Sequence, residues 1–525
     1  MSFSEGCSSE NYDSDAFIEW ARKHAVPISV PKNDKDFNDL QFFNAVLGSA
    51  RIVAVGESAH YLREWNRWRA RLFKYLVLEH GFTTFVLESA LVEGRIVHDY
   101  VAGADHDHDT VAAAINNVWG VWTEINELIR WMRDWNSDTS KPFKLHFYGM
   151  DGTGNWSHAK NAYHVVLKYL VYVDQPHANS FARSLEKTVH EISFETRTEF
   201  PSHALRMAVG DAQLIVNQIE QARTVYIELS SRDDYDWALR SAQILRDVLL
   251  CLAQTDPDFK KGFREFWNVR DISMTESLHW ILEREGFNTG TVIGAHNTHL
   301  QRYPLRTEKA TSMGSYFANR FGRKTMLVVG AASSLSLKGD APIAESNQAT
   351  YSLVGPDSFF LDFRQVPKGG PVANWLAQER PDRSNLRYQP VCAGEAWDCI
   401  LFHRTLSTAT VEWPAFLYSP YATPPNNLDR FSGRYTIHGF LAVVNTLDVY
   451  YDNGDLFTDG QDDISGEVFP PYRAQIYYCE DGQFRWKVWP SLIAFEEIND
   501  GVKVSVKTPG GKTYHGYRTS DAKLE

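Results

Sequence analysis

The 525-residue sequence is poor in cysteine, with Cys7, Cys251, Cys392, Cys399 and Cys479 scattered along it and no CxxC spacing. An odd, dispersed set suits reduced thiols in a cytoplasmic protein better than a disulfide framework. Long apolar runs are also missing: none approaches the roughly 18 residues of a membrane span. The opening MSFSEGCSSENYDSD is acidic and has no apolar stretch of the kind a signal peptide carries. Positive charge is scarce, with 53 Lys and Arg against 66 Asp and Glu and a net charge of -13. That balance argues against nucleic acid as a partner, because phosphate backbones demand clustered cations. Several signatures of enzyme chemistry are absent: HExxH, GxSxG, a P-loop and GxGxxG. A helix-borne zinc site, a serine elbow and a nucleotide cofactor therefore have no motif behind them. The DHDHD at 105–109 has the composition of a metal site but reads as a solvated turn. No cofactor and no bound metal are expected, nor is a membrane partner; the oligomeric state is not legible.

What is present is an ordinary globular composition, 43% hydrophobic and 23% charged, in a chain longer than one core accommodates. Apolar runs alternate with amphipathic stretches. Strands are expected at 51–55, 82–89, 143–151, 291–299 and 325–332, and a helix at 61–79 with Trp65, Trp68, Leu72, Tyr75, Leu76 and Leu78 on its apolar positions. Helical crossovers between such strands imply parallel pairing. From 155 to 285 the pattern is helical throughout, which suggests an inserted subdomain that walls or lids the sheet. Past about 425 the texture changes to short strand-like runs punctuated by DNGD, EDGQ, NDGV and PGGK, the turn chemistry of antiparallel hairpins. The expected fold is α/β, with a mostly parallel central sheet, an inserted helical subdomain and a small C-terminal all-β domain. The expected units are 16–420 and 428–525, the second a barrel or a sandwich.

Polar groups recur where the apolar runs stop. IVAVGESAHYLREW places Glu57 and His60 after one run, FTTFVLES places Glu88, FKLHFYGMD places Asp151, and TVIGAHNTH places His296 and His299. Each has a plain explanation by itself: a carboxylate beside a helix dipole, a solvated strand end, a turn cap. The histidine pair alone is equally compatible with a metal, with acid–base work or with a cap. Ligands of open α/β sheets bind outside the carboxyl ends of the strands, so several such ends should converge on one crevice. Convergence requires His60 to lie within roughly 6 Å, two hydrogen-bond lengths, of Glu88 or of the nearer of His296 and His299.

VGESAHYLREWNRWRARLFKYLVLEHGFTTFVLES, FYGMD, NVRDISMTESLHWIL and IGAHNTHLQR resemble, in order, the successive motifs of the erythromycin esterase family, and ARKHAVPI resembles its N-terminal segment. The likeness runs from about residue 16 to 410. It implies an α/β core with a deep cleft and metal-independent hydrolysis of a macrolide lactone, an activity tied to antibiotic resistance. By the same resemblance His60 is the general base that activates water and Glu57 is its carboxylate neighbour. Arg69, Glu88, His296 and His299 complete the catalytic set, with Arg270, Asp271, Asp151 and Tyr61 in supporting or substrate-binding positions. Departures are Tyr61, where many relatives carry glycine or phenylalanine, Ser89 and Ala90 after the glutamate, and a β-rich tail without counterpart. With 16 Trp in the chain, these departures suggest a natural-product substrate other than a clinical macrolide. Acyl transfer, cyclisation or elimination on a biosynthetic intermediate is the alternative enzyme reading, and a non-catalytic binding protein the third.

Overall fold

The computed structural model describes residues 14–28, 36–60, 62–115, 122–152, 158–192, 200–254, 259–305, 309–335, 340–384, 387–410, 412, 422–440, 443–462, 474–486, 491–499, 501–507 and 513–520. Its centre is a sheet of eight strands. They are β1 (Val26–Pro27), β2 (Ile52–Val55), β3 (Phe82–Ala90), β4 (His146–Asp151), β5 (Gly290–Gly294), β6 (Leu327–Ser333), β7 (Ser358–Asp362) and, after a separate hairpin of β8 (Glu379–Ser384) and β9 (Arg387–Cys392), β10 (Cys399–His403). The sheet order is β1-β7-β10-β6-β2-β5-β3-β4. From β10 to β4 all neighbours are parallel, and β7 and β1 extend the β10 edge in antiparallel pairing. All four residues of β2 and all five of β5 are buried, as expected for strands covered on both faces.

The five expected strands are all present. The fourth is shorter than expected: it stops at Gly294, and His299 lies instead in the one-turn helix Asn297–Leu300. The reason is local, because the His296 ring accepts the Thr298 backbone N–H at 3.2 Å and so starts a helix where the strand was expected to continue. The helix expected at 61–79 spans Arg63–His80; it ends where Gly81 turns left-handed (φ 65°) and returns its N–H to the Leu76 carbonyl. Helices fill the stretch between β4 and β5, from His158–Val173 to Phe259–Glu285, around a core of their own that includes Tyr163, Phe181, Leu249 and Phe266. No helix among the described residues is long and apolar enough to cross a membrane.

The C-terminal part is a closed antiparallel barrel of eight strands, from β11 (Gly433–Phe440) to β18 (Thr513–Ser520), whose first and last strands pair. Buried and part-exposed residues alternate along Gly501–Lys507. The DNGD turn is a two-residue hairpin loop in which Asn453 (φ 50°) and Gly454 (φ 96°) are both left-handed.

One irregularity bears on the crevice. Between the pairs Leu87–Gly149 and Ala90–Asp151 the register shifts, so Glu88 and Ser89 together face the single residue Met150. This β-bulge ends β3 and turns the Glu88 side chain toward the carboxyl ends of its neighbours. A Cβ on Gly149 would sit 2.1 Å from the Ala90 carbonyl oxygen, so the bulge closes only over glycine. Gly149→Ala should therefore cost roughly 1–3 kcal/mol in urea unfolding. An unchanged midpoint would show that the bulge does not depend on the missing side chain.

Candidate active site

The exits of β2, β5, β3 and β4 lie side by side, and buried side chains connect each to the next. At the β2 exit Gly56 meets Asn297, whose Oδ1 would stand 2.1 Å from a Cβ at that position. Asn297 N donates to the Glu57 carbonyl at 2.9 Å, while its side-chain amide pairs with Ala331 N and O at 3.1 and 2.8 Å. It thus pins the exits of β2, β5 and β6 together. Sequence reasoning passed over Asn297 as a functional position. Its lodging inside AHNTH, between two candidate histidines, was the available signal.

Arg69, on helix Arg63–His80 and 0% exposed, spans β2 and β5. Its Nε donates to the Val55 carbonyl (3.2 Å), Nη2 to the Ala295 carbonyl (2.7 Å) and Nη1 to Glu57 Oε2 (3.1 Å). The other oxygen of the fully buried Glu57 meets His60 Nδ1 at 2.6 Å. His60 keeps 35% of its side chain exposed. Its ring centroid lies 4.9 Å from that of His296, inside the limit that convergence demanded.

Glu88 joins β5 to β3: one oxygen accepts the His296 backbone N–H at 2.7 Å, and the other accepts Arg270 Nη2 at 3.0 Å and faces His299 Nε2 at 3.3 Å. Arg270, on helix Phe259–Glu285, then reaches Asp151 at the end of β4 (Nη2 to Oδ2, 2.6 Å). Its neighbour Asp271 takes His299 Nδ1 at 2.7 Å and the Met313 backbone N–H at 3.1 Å. Trp267, one turn earlier, lies against both His299 (5.3 Å, rings tilted) and Arg270 (5.3 Å), an aromatic wall that the sequence reading did not single out. The structure therefore brings His60, Glu57, Arg69, Glu88, His296, His299, Arg270, Asp271 and Asp151 into one cluster. Tyr61 lies outside the described residues. In the DHDHD segment Asp107 caps helix His108–Ala114 by accepting the Thr110 N–H. Among the described residues no group of three or more His, Cys, Asp or Glu is arranged to hold a metal ion.

The three imidazoles are held in different states. For His60, burial pulls the pKa down, but the hydrogen bond and charge of Glu57, with the charge of Glu88, outweigh it and the pKa rises above 6.5. For His299, burial is likewise overcome by Asp271 and Glu88, and the pKa is pushed up to about 9. His296 goes the other way: burial and the neighbouring His60 charge hold it well below 6.5. Its Nδ1 accepts the Thr298 N–H, so the ring proton sits on Nε2, which is buried and has no partner. The cluster can thus present a base (His60), a neutral N–H donor (His296) and a fixed cation (His299) within one crevice.

A family model described as erythromycin esterase matches residues 77–404, more than half of the chain. The chain belongs to the erythromycin esterase family. The matched stretch includes Glu88, Asp151, Arg270, Asp271, His296 and His299, whereas Glu57, His60 and Arg69 precede it. The chain is 23% identical over 325 residues to erythromycin esterase type II of Escherichia coli, covering 58% of this chain and 74% of that protein. A solved protein of Bacillus cereus aligns with a TM-score of 0.65 at 23% identity, over 76% of this chain and all of the other. A mutant of the erythromycin esterase EreC, solved in its open conformation, aligns with a TM-score of 0.59 at 18% identity, over 71% of this chain and 95% of its own. For this family member, membership supports hydrolysis as the class of chemistry.

The raised His299 pKa links the site to stability. The unfolded chain releases this proton near 6.5 and the folded esterase-family chain near 9, so the imidazolium stabilises the fold fully below pH 6.5 and progressively less as pH rises to about 9. Urea midpoints measured across that window should fall for the native chain and flatten in Asp271→Asn. The same slope in both proteins would show that the Asp271–His299 contact does not carry it.

Proposed function

We propose that the chain hydrolyses an ester or lactone bond in a large, macrolide-like natural product by His-activated water. The observation that carries this reading is the pairing of two adjacent imidazoles whose surroundings push their pKa values in opposite directions. His60 is oriented by a buried carboxylate, and His296 is neutral with an unpartnered N–H. With the Glu57 carboxylate holding the His60 Nδ1 proton, Nε2 takes a proton from water as the oxygen attacks the ester carbonyl. The oxyanion that develops lies within reach of the His296 Nε2–H, a donor already stripped of water and of other partners. The His60 imidazolium then returns its proton to the departing alkoxide, releasing an alcohol and a carboxylic acid that loses its own proton to solvent. Glu88 stays ionised: burial raises its pKa, but His299 and Arg270 hold it well below the usual carboxylate range. It therefore orients His296 through the backbone N–H and is not the acid. The third of its side chain that His60 leaves exposed gives water access to the base, which favours hydrolysis over transfer to another acceptor.

Incubating the purified protein with a panel of macrolides and other lactones should yield a product heavier by one water, read by mass spectrometry. His60→Ala should lower kcat by roughly 10²–10⁴. A product of unchanged or reduced mass, or no turnover of any ester by folded protein, overturns the reading. Removing the donor in His296→Phe should lower kcat by roughly 10²–10³ and leave KM nearly unchanged. An equal change in KM instead would make His296 a ground-state binding group. In Glu57→Gln the remaining influence of burial lowers the His60 pKa, so the rising limb of the kcat/KM–pH profile should move to lower pH while its plateau falls.

A further inference from the structure

Helix Arg63–His80 carries a second feature on the side away from Glu57. Arg63, Arg67, Arg71 and Lys74 follow one another at roughly one-turn intervals. Between this stripe and the chain leaving β10 lies a cavity of about 140 Å³, lined among others by Arg63, Arg67, Trp68, Arg71, His403 and Ser407. The acid in its lining, Glu64, is turned onto Ser407, whose backbone N and hydroxyl it accepts at 2.9 and 2.5 Å. A neighbouring cavity of about 200 Å³ shares Arg63, Arg67 and Arg71 and adds Lys74. There Arg63 pairs with Glu124 at 3.2 Å.

The polar atoms around the first cavity are unusual in what they lack. Three lining nitrogens are buried with no partner, Trp68 Nε1, Arg71 Nε and His403 Nε2, and so is Nε1 of Trp65, whose ring adjoins His403. His403 is 3% exposed, and its ring stands 5.1 Å from that of Trp65. Its Nδ1 lies 2.7 Å from the Ser358 hydroxyl, and a hydroxyl that donates there leaves the ring proton on Nε2. Arg71 is anchored by Asp39 at 2.7 and 3.0 Å, which fixes its Nε in place. Buried donors without acceptors cost stability, and a fold that gathers several beside guanidinium groups is shaped for a group that only accepts. None of these residues takes part in the cluster around His60.

We propose that this cavity is a second ligand site, for a phosphate-type oxyanion. The oxygens would accept from Trp68, His403 and the guanidinium groups of Arg63 and Arg67, and the planar arginine forks suit a tetrahedral oxyanion. The cavity holds the anion itself. A substituent on a phosphate monoester would project into the adjoining 200 Å³ space.

The test is isothermal titration calorimetry of the full chain at low salt with inorganic phosphate and, separately, phenyl phosphate. Saturable binding of at least one is expected, weakened at least tenfold in Arg67→Gln and in His403→Leu. It should be unchanged in Arg434→Gln, whose guanidinium pairs with Asp448 on the barrel. Binding of inorganic phosphate identifies the free ion as ligand, and binding of phenyl phosphate alone identifies a monoester; either supports the site. Should His403→Leu fail to fold, Arg63→Gln, at a half-exposed position, replaces it with the same expectation. No saturable binding of either anion to folded native chain, or equal binding in all variants, overturns the proposal.

Discussion

Everything at the crevice depends on two buried guanidinium groups that tie neighbouring strand exits together. Arg69 bridges the β2 and β5 exits while gripping Glu57. Arg270 bridges the carboxylates that end β3 and β4. Glu88 closes the gap between the two, since it takes both Arg270 and the His296 backbone N–H. Four exits are thereby laced in sheet order without a break. Space is reserved for this: a Cβ on Gly294 would come within 3.1 Å of the Arg69 side chain. Removing one partner of such a buried pair typically costs about 3–5 kcal/mol, because the other charge is left uncompensated. The lacing is thus both a structural and an electrostatic constraint.

Counting charge shows why the histidines behave as they do. Glu57, Glu88, Asp151 and Asp271 are buried carboxylates, and Arg69 and Arg270 supply only two opposing charges. The excess of two negative charges is relieved when His60 and His299 are protonated, and both have pKa values raised against the pull of burial. His299 meets this demand from inside the cluster, 2% exposed, with Nδ1 on Asp271 and Nε2 between Glu88 and the Arg270 guanidinium, so its proton has no open path to solvent. His60 meets it from the rim, where one nitrogen is held by Glu57 and 35% of the side chain is exposed. Exposure, more than pKa, separates the residue suited to exchange protons from the one that is not.

The parallel strands were legible because uninterrupted apolar runs such as IVAV can only be covered on both faces. The C-terminal unit was legible as antiparallel β because Asn-Gly and Asp-Gly turns demand left-handed backbone, while its closure into a barrel rather than a sandwich was not. Strands β7 and β10 escaped notice: SFFLD and CILFH are five residues each, too short to show a period, and their antiparallel pairing breaks the strand–helix alternation around them. At the site, the residue types were readable one strand end at a time. Their partners were not, since Arg270 is 119 residues from Asp151 and 182 from Glu88, and Arg69 is 226 from Ala295. No local rule connects such pairs. The resemblance to a family placed Arg69 and Arg270 in the set, and only the fold shows what they hold.

His60 and His296 divide one task by having unlike surroundings. Their rings are 4.9 Å apart, so protonation of one disfavours protonation of the other. Glu57 breaks the tie by lying on His60, and the Thr298 N–H reinforces it by occupying the His296 nitrogen that would otherwise accept a proton. In the proposed hydrolysis, a proton taken up by His60 drives His296 further toward neutrality and leaves its buried Nε2–H without a competing partner. On that reading the neutral donor is set by the fold before charge develops on a substrate oxygen. Placing two identical side chains in environments that push their pKa values apart separates acid–base work from electrostatic work. The separation is built on the lacing of strand exits by Arg69, because that arginine fixes the carboxylate that raises the pKa of His60 and not that of His296.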